Sequence, residues 1–312
     1  MLPMIAVALL RGNVGTDTAY YLSQIRVVSA AGQLTGTFEP LFDAIILAFS
    51  GFFDDPRLVL ALFGALTTFV LVAGGLRLER KPWIFALAIL PQFYFDMTMN
   101  GIRYGLAFSF VYLAATYLVQ GRHMRYWLLI AIATSFQLSG GALGLMLYAL
   151  IERRWRAMIY CGVIAVIVMV VFRDYLAYKM EAYSSLEAES GTAGLGPLVI
   201  SLMTLAFWMT RGSLRRGTEL MVATLFLLTV FSFALSRFTY AGIRLQQLIV
   251  FLIFIALACH VRIFHLRLRS TTVLALFVIG ALGFAMKLRN FQDGAYLYDS
   301  PFIPYHFYWE PQ

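Results

Sequence analysis

The side chains in this chain that could do chemistry are arginines and carboxylates set at the ends of long apolar runs. Arg11 follows the first apolar stretch. Arg103 sits in Asn100-Gly-Ile-Arg-Tyr-Gly-Leu-Ala, and Arg237 lies seven residues before Arg244 in Tyr240-Ala-Gly-Ile-Arg-Leu. A guanidinium fork matches the oxygens of a phosphate or carboxylate in bidentate fashion, so the ligand class is anionic. A lipid-linked diphosphate presents that charge at the depth where an apolar run ends. Snorkelling to lipid headgroups, or structural pairing with Asp96 or Glu39, is the competing account of each arginine.

Two carboxylates accompany them. Asp17 lies in Arg11-Gly-Asn-Val-Gly-Thr-Asp-Thr-Ala-Tyr-Tyr, a glycine-containing polar turn, and Glu39 opens Glu-Pro-Leu-Phe. A carboxylate partly withdrawn from water acts as a general base toward a hydroxyl when its pKa approaches the working pH. Each also has a plainer reading: Asp17 as a turn or N-cap acid, Glu39 as a helix-start acid in the dipole field. Asp17 is the preferred base, because Gly15 lets the backbone come close to a substrate. Gln137 can bond sugar hydroxyls or satisfy loose backbone at a helix break. The late aromatic residues Tyr296, Tyr298, Tyr305, Tyr308 and Trp309 can stack on sugars, although an interfacial aromatic belt is the favoured account. HExxH, P-loop, GxGxxG and GxSxG elements are absent, the histidines lack ligand spacing, and Cys161 and Cys259 sit inside apolar runs. No metal or cofactor is therefore expected, and cationic side chains take the place of a metal.

The elements that must position these groups are membrane helices. Hydrophobic residues make up 61% of the 312 and charged residues 13%, against about 25% in a soluble domain. That much apolar surface needs lipid. The net charge of +8 is not a nucleic-acid signature. Of the 24 Lys and Arg, 14 fall in five short tracts: Arg77–Lys81, Arg122–Arg125, Arg153–Arg156, Arg211–Arg216 and Arg262–Arg269. The positive-inside rule puts these tracts in the cytoplasm.

Spans are expected at Leu58–Leu76, Trp83–Phe95, Tyr104–Val119, Ala157–Phe172, Gly196–Thr210, Thr218–Ala234, Ile243–Cys259 and Ser270–Met286, with an external turn at Asp96–Arg103. An external loop is expected at 173–195 and an external tail at 287–312. Trp127–Ile151 has basic tracts on both sides, which predicts a re-entrant hairpin broken at Ser135–Gly141, with one full span as the alternative. Glu39–Phe53 reads as a short helix dipping in from outside. Met1–Leu10 is short for a span, so the chain starts inside the bilayer or its true start lies upstream. The expected fold is one all-α, polytopic membrane domain, 1–312, of about nine membrane segments with one or two re-entrant half-helices and an outward-facing cavity.

In order, Arg11-Gly-Asn-Val-Gly-Thr-Asp-Thr-Ala-Tyr-Tyr, Glu39-Pro-Leu-Phe and Asn100-Gly-Ile-Arg-Tyr-Gly-Leu-Ala, with the late Arg244, resemble the EpsG-like family of Wzy-type polysaccharide polymerases. The likeness covers residues 6–140 by motif and the remainder by hydropathy. One departure is Phe136-Gln137-Leu138-Ser139, where the family often has His in place of Gln137, so proton transfer is not expected there.

The resemblance implies transfer of a growing glycan from undecaprenyl diphosphate to a lipid-linked repeat unit, at the outer face of the bacterial inner membrane. The residues read above fit that chemistry, with Asp17 and Glu39 as catalytic carboxylates and Arg11, Tyr20, Arg103, Gln137, Arg237 and Arg244 as substrate-binding groups. The partners are the undecaprenyl-diphosphate-linked oligosaccharide, membrane lipid, and a flippase and chain-length regulator, with exopolysaccharide, capsule or O-antigen as product. Another lipid-linked glycosyltransferase or O-antigen ligase is the first alternative. A transporter of an anionic lipid or solute is the second, which inverted repeats would favour; none is seen.

Overall fold

The computed structural model describes residues 2–15, 17–36, 39–78, 82–152, 155–171, 173, 194–211, 218–261, 270–290, 302 and 305–310. The external loop expected at 173–195 lies outside the described residues except at its ends, as does much of the tail expected at 287–312. Among the described residues the regular structure is helical, with an isolated β-bridge between Arg11 and Phe307. Among the described residues four helices are long and apolar enough to cross a membrane: Pro56–Leu78, Thr218–Ser236, Tyr240–His260 and Ser270–Lys287. Two of them carry rows of exposed apolar side chains, including Phe226, Leu227, Val230 and Phe231 on one and Leu274, Phe277 and Val278 on the other. Such rows require lipid rather than water. The chain is an all-α integral membrane protein.

Contacts divide it into two compact units: Met1–Leu78, Gln92–Gly141 and Tyr298–Gln312 in the first, Glu79–Pro91 and Ala142–Leu297 in the second. The first begins with α1 (Leu2–Leu9), α2 (Thr18–Ala31), α3 (Pro40–Ser50) and α4 (Pro56–Leu78). No element is expected from the sequence between the polar turn at Asp17 and Glu39, yet α2 buries Thr18, Tyr21, Leu22, Ile25 and Val28, a stripe at helical spacing. It ends at Gly32, whose φ of 62° closes the helix through an N–H bond to the Val28 carbonyl. Helix α3 starts at Pro40, where proline has no helical N–H to lose, and its 11 residues rise roughly 16 Å, about half a bilayer core. Tyr21, Phe42 and Phe63 pack in succession and tie α2 to α3 and α4, with 4.4 Å between the stacked rings of Phe42 and Phe63.

The next helix differs from expectation. A π-helical turn at Phe85–Ile89 leads into α5 (Leu90–Phe95), and a second, π2 (Asp96–Asn100), continues it. The expected external turn at Asp96–Arg103 is therefore a buried helical segment, and the chain breaks only at Gly101. Its polar groups are satisfied internally. Gly101 N–H bonds the Asp96 carbonyl at 3.0 Å, Asn100 Nδ2 reaches Asp96 Oδ1 at 3.3 Å, and Thr98 Oγ1 bonds the Tyr94 carbonyl at 2.7 Å. π-Turns inside helices recur at functional sites.

Helix α6 (Ile102–Leu118) runs along α4, and Gly74 permits the approach: a Cβ there would lie 3.0 Å from the Tyr112 ring and 3.1 Å from Leu113 N. Gly121, at φ 71°, turns the chain into α7 (His123–Phe136). Helix α7 stops at Gln137, whose backbone is extended (φ −164°, ψ 131°), and α8 (Leu138–Glu152) follows. The break expected within Ser135–Gly141 is thus present.

In the second unit Tyr240–Val261 is largely buried and packs against Leu195–Arg211 and Thr218–Ser236. Gln246 donates from Nε2 to the Gly194 carbonyl at 3.1 Å, where Gly194 holds φ 81°.

Candidate functional site

The site is built on the loop between α1 and α2. Gly15 adopts φ 105°, a conformation that favours glycine, and a Cβ there would come within 2.6 Å of the Met99 carbonyl oxygen. The loop therefore lies directly on π2. Thr18 Oγ1 fixes it by bonding the Val14 carbonyl at 2.6 Å and the Met99 carbonyl at 3.3 Å. From the same loop Arg11 Nη1 donates to the Thr98 carbonyl. On its other side the loop is bridged to residues 305–310: Gly12 N–H bonds the His306 carbonyl at 2.8 Å, and Tyr308 N–H bonds the Leu10 carbonyl at 3.0 Å.

Arg11 is consequently only 6% exposed. Burial lowers its guanidinium to about 10, opposed in part by the nearby Tyr305 and Tyr21 phenols. It stays cationic at neutral pH. Among the described residues no carboxylate pairs with it. A buried charge without a counter-ion is costly, and an anionic ligand would compensate it.

Arg103, the second residue of α6, has the opposite situation. Its Nη1 pairs with Oε2 of Glu39 at 2.5 Å, both side chains being nearly buried. Of the pairings with Asp96 and Glu39 left open by the sequence, the structure forms the one with Glu39. Arg103 also donates to the Tyr21 phenol, which burial pushes above its usual range. Tyr21 in turn feels the charge of Asp17, one helical turn earlier. Glu39, Arg103, Tyr21 and Asp17 thus form a connected polar chain from the start of α3 to the start of α2.

Asp17 occupies the N-cap of α2 and Glu39 that of α3, yet neither side chain makes a capping hydrogen bond. Glu39 is buried and engaged with Arg103; Asp17 is half-buried.

The remaining candidates are placed differently. Tyr20 is 49% exposed, and Tyr21, not named from the sequence, is the member of the pair turned to Arg103. The signal for it was the helical i, i+4 step from Asp17. Gln137 is half-buried at the break between α7 and α8. Arg237 and Arg244 belong to the second unit. Arg237 lies over the Phe233 ring at 4.8 Å, and Arg244 over the Tyr240 ring at 5.2 Å while donating to Gln247 Oε1 at 3.3 Å.

Asp43 was also missed. It is fully buried, one turn after Glu39, and its Oδ2 accepts from Thr35 N–H at 3.1 Å and Thr35 Oγ1 at 3.0 Å. A carboxylate inside a short apolar helix is the signal that could have flagged it.

Chemically, this arrangement offers a buried cation for an anion, a half-buried carboxylate for proton abstraction, and an arginine–carboxylate pair joined to that carboxylate through Tyr21. Comparisons with curated proteins and with solved structures return no match. The EpsG family model matches residues 1–307, a stretch that takes in Arg11, Asp17, Tyr20, Glu39, Arg103, Gln137, Arg237 and Arg244, and the chain belongs to the EpsG family.

Proposed function

We propose that this protein is a polysaccharide polymerase of the bacterial inner membrane, working at its outer face on undecaprenyl-diphosphate-linked glycans. The observation that carries this reading is Arg11: a buried guanidinium, cationic at neutral pH, with no carboxylate partner among the described residues. A diphosphate supplies the missing negative charge. Membership of the EpsG family supports polymer chemistry as its setting.

In the proposed reaction a hydroxyl of the lipid-linked acceptor attacks the anomeric carbon of the donor glycan. The bond from that carbon to the diphosphate oxygen breaks, and undecaprenyl diphosphate leaves with the electron pair. Asp17 takes the hydroxyl proton, and Arg11 stabilises the charge that develops on the leaving group. A preorganised cation in a site screened from water contributes several kcal/mol to such a step. Arg103, held by Glu39 and bonded to Tyr21, fixes the geometry between the two ends of α2 and α3.

Deleting the protein and analysing lipid-linked glycans tests the reading. Accumulation of single-repeat lipid products supports a polymerase. Intact polymer that is no longer attached to its final acceptor means a ligase, and unchanged glycans mean a transporter or an unrelated role.

A further inference from the structure

Residues 305–310 are held by backbone and side-chain bonds along their whole length. Tyr305 donates its hydroxyl to the Val7 carbonyl at 2.7 Å, and the His306 carbonyl and Tyr308 N–H pair with Gly12 and Leu10. Arg57 Nη1 donates to the Tyr308 carbonyl at 2.9 Å. Glu310 closes the turn: its Oε2 accepts from Phe307 N–H at 3.2 Å and bonds His306 Nδ1 at 3.1 Å, while its N–H reaches the Phe307 carbonyl at 3.1 Å.

On this turn the rings are braced against one another. Phe307 and Trp309 stack with centroids 4.6 Å apart and planes 7° apart, and Tyr308 meets Trp309 edge-on at 4.8 Å. Trp309 nevertheless remains 57% exposed and Tyr308 44%. One indole face rests on Phe307 and the rest of the ring is open.

A membrane-interface belt needs aromatic rings at headgroup depth but no fixed backbone. Here the backbone is fixed, and fixed to one particular loop. The bridge partner of Phe307 is Arg11, so the exposed indole stands two residues along the chain from the residue that pairs with the buried cation. A pyranose presents a flat face of C–H groups that stacks on such a ring, and a platform already immobilised loses little entropy on binding.

We propose that Trp309, supported by Phe307 and flanked by Tyr308, is a carbohydrate subsite that holds a sugar of the donor glycan beside the anion at Arg11. The placement beside a diphosphate rests on the proposed function.

The test uses the full chain in phospholipid nanodiscs with two probes. One is undecaprenyl diphosphate without sugar; the other is glycan released by mild acid from the host's own lipid-linked product. Trp309→Ala is expected to weaken binding of the released glycan about tenfold, the size of one lost stacking contact. Trp309→Phe should keep most of the affinity, and both variants should bind undecaprenyl diphosphate as the wild type does. Unchanged glycan affinity in Trp309→Ala overturns the subsite, and so does an equal loss of both probes, which marks a merely structural tail. A wild-type protein that binds glycan through Trp309 but ignores undecaprenyl diphosphate keeps the sugar subsite and removes the proposed function instead. The converse, lipid diphosphate binding with no glycan binding, removes the subsite alone.

Discussion

Replacing Arg11 by methionine should leave the free protein as stable as the wild type, or more so, while removing its activity. Burial lowers the guanidinium from its ordinary range to about 10, which at 1.36 kcal/mol per pH unit is roughly 3 kcal/mol spent on keeping it charged. Below about pH 10 the folded and unfolded chains both carry that proton, so the cost is the same across the physiological range. Methionine removes the charge, keeps much of the side-chain length, and forfeits the bond to the Thr98 carbonyl, worth about 1.5–3 kcal/mol for a charged donor. The two effects oppose each other, leaving a balance between zero and about 1.5 kcal/mol in favour of the variant. Chemical unfolding in nanodiscs reads the first half of the prediction, and the glycan chain-length ladder reads the second. Added undecaprenyl diphosphate should stabilise the wild type and leave Arg11→Met unmoved, by mass action on the folded state. A variant that unfolds several kcal/mol earlier would mean that Arg11 is a structural cation with a counter-charge of its own, and the anion-site reasoning would fall.

Four further outcomes follow from the geometry. Arg103→Ala should cost about 3–5 kcal/mol by stranding buried Glu39, and Arg103→Ala with Glu39→Ala should recover part of it; strictly additive losses in a double-mutant cycle would show that the pair is not coupled. Arg103→Lys should impair chain growth nearly as badly as Arg103→Ala, since lysine lacks the fork that serves Glu39 and Tyr21 together. Asp17→Asn should slow chain growth about 10²–10⁴-fold at normal protein level, and Tyr21→Phe should impair it where Tyr20→Phe does not; a normal ladder for Asp17→Asn beside a lost one for Glu39→Gln would exchange the two carboxylates. Cysteines at positions 122 and 154 should both resist impermeant thiol reagents in spheroplasts, whereas labelling of position 154 alone would establish a full span between them.

The elements that the sequence exposed are those whose signal is local. Pro56–Leu78 is 23 residues long and apolar throughout, so its hydropathy suffices, and the conflict between two basic tracts marked the break at Gln137. Helix α2 was hidden because its buried stripe includes the polar Thr18 and Tyr21, while its other side, with Ser23 and Arg26, is exposed, which weakens the apolar signal. π2 was hidden for a related reason: Asp96, Thr98 and Asn100 look like a wet turn until their bonds to one another and to Tyr94 are seen. Within the site the residue types were legible and their pairing was not. Arg103 and Glu39 are 64 positions apart, and nothing along the chain distinguishes Glu39 from Asp96 as the partner. The same holds for Tyr20 and Tyr21, where only the helix phase decides which ring turns inward.

The pairing of residues 305–308 with 7–12 also sets a schedule for making this protein. Tyr305 bonds a carbonyl 298 residues earlier in the chain, so the first segment must be synthesised and inserted long before its partner exists. At 5–20 residues per second that interval is about 15–60 s. Throughout it, the loop carrying Arg11 lacks the bonds that Tyr305, His306 and Tyr308 make to residues 7–12. Maturation of the site therefore waits for residues 305–308, whose bonds close over the loop that carries Arg11. An epitope tag fused just after Glu310 acts on that step, and a tag on an internal loop is the safer way to follow the protein.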